Sequence, residues 1–155
     1  MLILRFNRES LVPVKIIISK KTKEIEFSGI LKKNPKNNFI YLDIPNKFLD
    51  GIFEMLDEDN AEKEPGSRGV GSHISVIDSE EYEENKLEIK ELGKEFSFTF
   101  GNVVSLNPEG WDEMERVWFL QAMSKELEKL RKSYGLTPLL NGNHEFHISF
   151  ATQEK

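Results

Sequence analysis

The sequence predicts an α+β domain in which one strand–helix–strand unit occurs twice. Three observations lead there: apolar residues alternate with a period of two in several segments, two stretches carry a helical apolar stripe, and the tripeptide His-Ile-Ser follows each of those stretches, at His73–Ser75 and His147–Ser149. Alternation places successive side chains on opposite faces of a half-buried strand, whereas a stripe at spacings of three and four marks one face of a helix.

From the N-terminus, Val12 to Ser19 is a β-branched run, and Glu24 to Leu31 alternates Ile25, Phe27 and Gly29 with polar partners; both read as strands, with Lys20 to Lys23 as a solvated turn between them. Asn34 to Asn38 is a second turn, followed by a strand over Phe39 to Ile44 and then Pro45. Asn46 is placed to cap a helix over Lys47 to Leu56, where Phe48, Leu49, Ile52, Phe53 and Leu56 form one stripe. From Asp57 to Gly71 the chain turns acidic and then rich in Pro, Gly and Ser, a surface loop long enough to be functional. Val70 to Ile77 reads as a strand with Gly71, His73 and Ser75 on one face and Ile74 and Val76 on the other. Asp78 to Glu84, with five acids in seven residues, reads as a solvated loop.

The second half repeats this order. Phe96 to Phe100 is a strand that Val103 to Leu106 extends or pairs with across Gly101-Asn102, and Asn107 to Gly110 is a turn. Arg116 to Met123 is an apolar strand, and Ser124 caps a helix over Lys125 to Tyr134 that buries Leu127, Leu130 and Tyr134 and stops at Gly135. After Pro138 and Asn141-Gly142, the last strand covers Glu145 to Thr152, with Glu145, His147 and Ser149 on one face and Phe146, Ile148 and Phe150 on the other.

Composition narrows the function classes. At 155 residues, 38% hydrophobic and 31% charged, the chain fits one ordinary globular domain and excludes collagen-like, coiled-coil and fully disordered readings. Lys plus Arg number 21 against 27 Asp plus Glu, and the resulting charge of -6 has the wrong sign for holding duplex DNA by phosphate neutralisation. A short phosphate ligand stays open. The absence of cysteine removes disulfides, thiolate zinc sites and cysteine nucleophiles together. No apolar run approaches the roughly 20 residues of a membrane span. Met1 to Leu4 meets Arg5 at once, so no signal peptide is visible and a cytoplasmic location is expected.

The chemistry lies in the repeat, since the whole chain has only three histidines and two of them open identical tripeptides. Two imidazoles with unperturbed pKa near 6.5 serve at neutral pH as complementary base and acid. In cleavage of a phosphodiester, the base activates water or an adjacent ribose hydroxyl while the acid protonates the leaving oxygen on the far side of phosphorus. Each serine, two residues along its strand, points to the same side as its histidine, and its hydroxyl suits a nonbridging phosphate oxygen.

With paired His-x-Ser motifs on two strands in repeated contexts, the sequence resembles the two-histidine (2H) phosphoesterase superfamily, which carries a pair of H-x-S/T motifs on strands of two similar lobes. The order from Trp118 through the helix 125–134 to Phe146-His147-Ile148-Ser149-Phe150 is especially similar to the C-terminal lobe of that family. The resemblance implies one domain over residues 1–155 with two pseudo-symmetric lobes, about 10–90 and about 91–155, whose mainly antiparallel sheets flank a central cleft. It also implies His73 and His147 as the catalytic pair and Ser75 and Ser149 as the phosphate-binding hydroxyls. Serine stands where threonine is commoner, which keeps the hydroxyl. The implied substrates are nucleotides, oligonucleotides or RNA ends, such as 2′,3′-cyclic phosphates or 2′,5′-linked oligonucleotides, cleaved without metal or cofactor. The reading from another class is a noncatalytic RNA- or nucleotide-binding module on the same fold.

Other features carry less. His144 and His147 form H-x-x-H, but an odd spacing on a strand directs them to opposite faces, and the zincin spacing is absent. Glu145 shares the face of His147. Tyr41, Trp111, Trp118 and Phe119 are candidates for stacking on a base, with the core as the commoner place for such rings, and Arg68 is a candidate for reaching a phosphate or for a plain solvent-facing position. Gly66, Gly69 and Gly71 precede a strand and so do not form a phosphate-binding loop opening a helix.

Overall fold

A computed structural model describes residues 12–13, 20–54, 56, 61–63, 71–107, 114–140 and 144–154. In chain order the elements are β1 (Val12–Pro13), α1 (Lys20–Lys23), β2 (Phe27–Lys33), β3 (Ile40–Asp43), α2 (Lys47–Glu54), β4 (Glu62–Lys63), β5 (His73–Ile77), α3 (Ser79–Glu84), β6 (Glu95–Leu106), β7 (Met114–Met123), α4 (Lys125–Ser133) and β8 (Phe146–Glu154). The architecture is the α+β class expected, with an antiparallel sheet ordered β4-β8-β7-β6-β2-β3-β5 and β1 paired beside β6.

That order reads the same outward from its middle. From the β2/β6 pair, β3 and then β5 follow on one side, and β7 and then β8 on the other. In each half a helix, α2 or α4, connects two strands that pair antiparallel with each other. The path also bends back on itself, because β5 lies against β8 although no ladder joins them among the described residues.

Two glycines sit where strands approach closely. Between Phe100 and Val103 the pairing of β6 with β7 shifts register at Gly101-Asn102, where a Cβ on Gly101 would stand 3.1 Å from that of Gln121. On β2, a Cβ at Gly29 would meet Asp43 O at 2.5 Å and Leu42 Cγ at 2.9 Å. The pleat lets β2 approach β3 only with hydrogen at that position.

One face of the sheet forms a single core. Leu31, Leu42, Ile74, Val76, Phe98, Leu120, Phe146, Ile148 and Phe150 meet there, and Leu49 of α2 with Leu127 and Leu130 of α4 cover them. Each such side chain contributes about 1.5–3 kcal/mol on burial. The helices therefore occupy the side onto which the apolar residues of both His-Ile-Ser strands point.

Helix α4 begins where expected. Ser124 has extended backbone, its Oγ accepts the Leu127 amide at 3.1 Å, and the same hydroxyl donates to the carbonyl of Ser97 on β6 at 2.6 Å. Gly135 follows at φ 78°, which ends the helix without a side-chain clash.

Three local expectations are corrected. Lys20–Lys23 is a short helix rather than a turn, and β2 starts at Phe27 and runs on to Lys33, past the expected end at Leu31. Gly93 N–H donates to Leu31 O and Leu31 N–H to Lys94 O, ties from outside the segment that hold β2 where local pattern would have ended it. The acidic stretch after Asp78 is helix α3, because Asp78 accepts the Glu81 amide at 2.8 Å while Glu81 accepts that of Asp78 at 3.3 Å. This reciprocal cap and the helix dipole turn an acidic run at a helix start into a stabilising one. The proposed strand over residues 14–19 lies outside the described residues. No helix among the described residues is long and apolar enough to cross a membrane.

Two substitutions measure this local chemistry. Ser124→Ala should lower unfolding free energy by about 1–2 kcal/mol by removing the cap. Gly29→Ala should lower it by about 1–3 kcal/mol through overpacking. Urea titrations should show lower midpoints with unchanged slopes.

Candidate active site

The alternation in β5 sends Ile74 and Val76 into the core, each with no exposed surface, and leaves His73 and Ser75 half-buried on the other face. In β8, Phe146, Ile148 and Phe150 are buried and His147 and Ser149 half-buried. Since the apolar residues of both strands join one core, both His-Ser pairs turn away from it. The two strands lie against each other, which brings the two motifs to neighbouring strands.

The ladder places equivalent residues beside each motif. His73 is opposite Asp43 and Ser75 opposite Tyr41, while His147 is opposite Gln121 and Ser149 opposite Phe119. Residues directly opposite in an antiparallel ladder share a face. Each imidazole packs on an aromatic of that neighbouring strand: His73 lies 5.9 Å from the Tyr41 ring and 5.6 Å from Phe39, both near edge-on, and His147 lies 4.9 Å from Phe119.

The hydrogen bonding of the two rings also matches. His73 Nδ1 is 2.7 Å from Gly71 O, and His147 Nδ1 is 3.1 Å from Glu145 O, in both cases the carbonyl two residues earlier in the chain. A carbonyl oxygen only accepts, so Nδ1 carries the hydrogen and donates it. In the neutral ring the lone pair is then on Nε2. One bond thus fixes both tautomer and ring orientation, twice over.

Residues 40–155 match the 2H-SAK family, described as the Swiss Army Knife, 2H phosphoesterase domain. The chain belongs to this family. No curated protein and no solved structure gives a match. Membership makes the chain a phosphoesterase domain, the general activity to which the paired motifs pointed.

The 2H domain treats its other candidates unequally. Tyr41 is buried beneath His73 and acts as part of that ring's support. Trp118 is 1% exposed in the core, and Phe119 likewise 1% exposed beneath His147, the placement weighed against stacking for such rings. Their strand, β7, lies inside the sheet between β6 and β8. Arg68 and Trp111 lie outside the described residues. Glu145 accepts a hydrogen bond from Gln121 Nε2 at 3.0 Å, which joins the residue opposite His147 to the one whose carbonyl holds it. No cluster of three or more His, Asp or Glu with metal-site geometry occurs among the described residues.

Several supporting residues escaped the sequence reading. Asn46 stands directly before α2, where its carbonyl accepts the Leu49 amide at 3.1 Å, and its Oδ1 accepts the Ser72 amide at 2.8 Å, which ties the start of α2 to the segment leading into His73. Gly71, whose carbonyl accepts the hydrogen bond from His73 Nδ1–H, adopts φ 76°, and a Cβ there would stand 3.1 Å from Asn46 Oδ1. Lys32 Nζ bonds Asp43 Oδ2 at 2.7 Å, and that hydrogen bond with the carboxylate's charge raises the lysine above its ordinary value. It is therefore an ammonium at neutral pH, two strands from His73. The local signal for Gly71 was a glycine two residues before a motif histidine; the other contacts join residues too distant in sequence for pattern to reveal.

Replacing Gly71 by alanine tests the carbonyl anchor. The left-handed conformation should cost about 1–2 kcal/mol in a denaturation experiment. Proton–nitrogen correlation spectra of the imidazoles should show loss of the single Nδ1–H tautomer at His73 with that of His147 retained.

Proposed function

We propose that this domain cleaves a phosphodiester of a nucleotide, oligonucleotide or RNA end, such as a 2′,3′-cyclic phosphate or a 2′,5′ linkage, by two-histidine general acid–base catalysis without a metal. The observation that carries the proposal is the matching anchoring of His73 and His147, each with Nδ1–H donated to the carbonyl two residues earlier, which makes Nε2 the atom that gains or loses a proton in this reading.

In this mechanism one histidine enters neutral, and its Nε2 takes a proton from water or a neighbouring ribose hydroxyl as that oxygen attacks phosphorus. The other enters protonated, and its Nε2–H passes to the departing oxygen on the opposite side. The resulting charge states are exchanged, so the pair is reset by proton exchange with solvent. Ser75 and Ser149 donate hydroxyl hydrogens to the nonbridging oxygens, where charge builds in the transition state. The Nδ1–H bonds hold each ring through both charge states, because Nδ1 donates whether the ring is neutral or cationic. Substrate orientation decides which histidine is acid and which is base. The lobes, about 10–90 and about 91–155, would then face one cleft in a cytoplasmic enzyme whose partners are these phosphate-bearing substrates.

The testing experiment is a screen of the purified protein against 2′,3′-cyclic nucleotides, 2′,5′-oligoadenylate, cyclic oligonucleotides and cyclic-phosphate-ended RNA. Cleavage should survive a chelator. His73→Ala and His147→Ala should each reduce turnover by about 10²–10⁴-fold while leaving the fold intact, and the serine-to-alanine changes should cost less. Full activity in either histidine variant, or a strict need for an added divalent ion, would reject the mechanism. Binding of these ligands without turnover would instead support the noncatalytic module.

The pH profile gives a separate check. With chemistry rate-limiting, turnover should be bell-shaped: it rises as the base loses its proton and falls as the acid loses its own. The limbs report apparent values of the coupled pair. A flat single-turnover profile from about pH 5 to 9 would sink the paired mechanism.

A further inference from the structure

Arg131 is an arginine with no exposed surface at all, in a helix whose outer face is open to water. Its Nη1 donates to Val76 O at 2.8 Å and to Glu81 Oε1 at 2.9 Å. Its Nη2 donates to Glu81 Oε2 at 2.6 Å, to Leu139 O at 3.1 Å and to Thr137 Oγ1 at 3.3 Å, and Nε donates to Thr137 O at 2.8 Å. Every nitrogen of the guanidinium is engaged, with a two-point fork on one carboxylate and three backbone carbonyls around it.

Those partners come from both halves of the repeat. Val76 directly follows Ser75 in β5, and Glu81 belongs to α3, the element that β5 runs into. Thr137 and Leu139 lie in the connection from α4 to β8, which continues through the Leu140–His144 bridge to His147. We propose that Arg131 is a positioning residue: it fixes the end of β5 against the entry to β8, and thereby sets the spacing between His73 and His147. The inference rests on the two-histidine reading of the site.

Stability alone is a poor account of the arrangement. A buried ion pair gains little over well-packed apolar side chains of the same volume, because removing both charges from water offsets their attraction. What the guanidinium adds is direction, since its planar fork fixes angles that a lysine ammonium or an apolar side chain leaves free. The place where that direction is imposed is the junction where β5 and β8 lie side by side with no ladder between them among the described residues, so ladder hydrogen bonds there do not set their register.

The test uses the full chain with Arg131→Lys and Glu81→Gln, the second keeping the guanidinium and the shape of its partner. Three readouts are taken: melting temperature, imidazole proton–nitrogen spectra of His73 and His147, and kcat and KM on whichever substrate the wild-type protein cleaves. The expected result is a folded protein in which the ring signals of both histidines shift or split, with kcat reduced about tenfold or more and KM changed far less, as for a misplaced reacting group. A lower melting temperature with ring spectra that overlay the wild type would overturn the proposal and leave Arg131 a structural residue. If Arg131→Lys fails to fold, Glu81→Gln decides by the same spectra. The spectra need no substrate, so a wild-type protein that cleaves nothing would remove the proposed activity while the ring signals still support or overturn the positioning role.

Discussion

Along β5 and β8, the pleat of an extended chain assigns consecutive side chains to opposite faces, and most of the site's construction depends on that constraint. Ile74 and Ile148 each lie fully buried between a histidine and a serine, so the force that packs the core also directs the motif's polar members outward. A shift of one residue in either ladder would exchange the two sets and bury an imidazole where an isoleucine belongs. The hydrophobic core therefore guards the register of the chemistry, although no core side chain takes part in it.

The same economy governs the support around the rings. Antiparallel pairing with β3 and β7 supplies an aromatic ring and a polar side chain to each motif from one neighbouring strand: Tyr41 and Asp43 on one side, Phe119 and Gln121 on the other. The halves are alike in geometry and unlike in charge. Asp43 carries a paired ammonium with it, whereas Gln121 is neutral and leans on Glu145. A symmetrical frame thus presents an unsymmetrical electrostatic environment, which suits the proposed mechanism, whose two ends demand opposite proton transfers.

Much of this was legible in the sequence because it is local. The period of two identified β5 and β8 and assigned each histidine and serine to its face, turn signals bounded β3, an apolar run marked β7, and the stripes of α2 and α4 together with Ser124 and Gly135 marked the helices. The acidic run after Asp78 was misread because its charge count hid a capping box, a pattern of four residues in which position matters more than composition. Other features were illegible for a different reason. Asn46 and Ser72, Lys32 and Asp43, and Arg131 and Glu81 meet only after the chain has folded, and a single sequence contains no record of which distant polar residues become partners. Trp118 and Phe119 lie buried in β7, the placement that residue type alone favours for large aromatics.

The anchoring of each imidazole to a carbonyl of its own strand has an evolutionary consequence. A main-chain oxygen is present whatever side chain stands at that position, so substitutions at position 145 alter the rim of the site without removing the acceptor that orients His147. Only a change in backbone conformation removes it, and at position 71 the left-handed turn makes glycine the guardian of that conformation. The surrounding surface is consequently free to drift toward new ligands while the ring nitrogens keep their aim, which is the division of labour a scaffold needs if one arrangement is to be retained across many ligands.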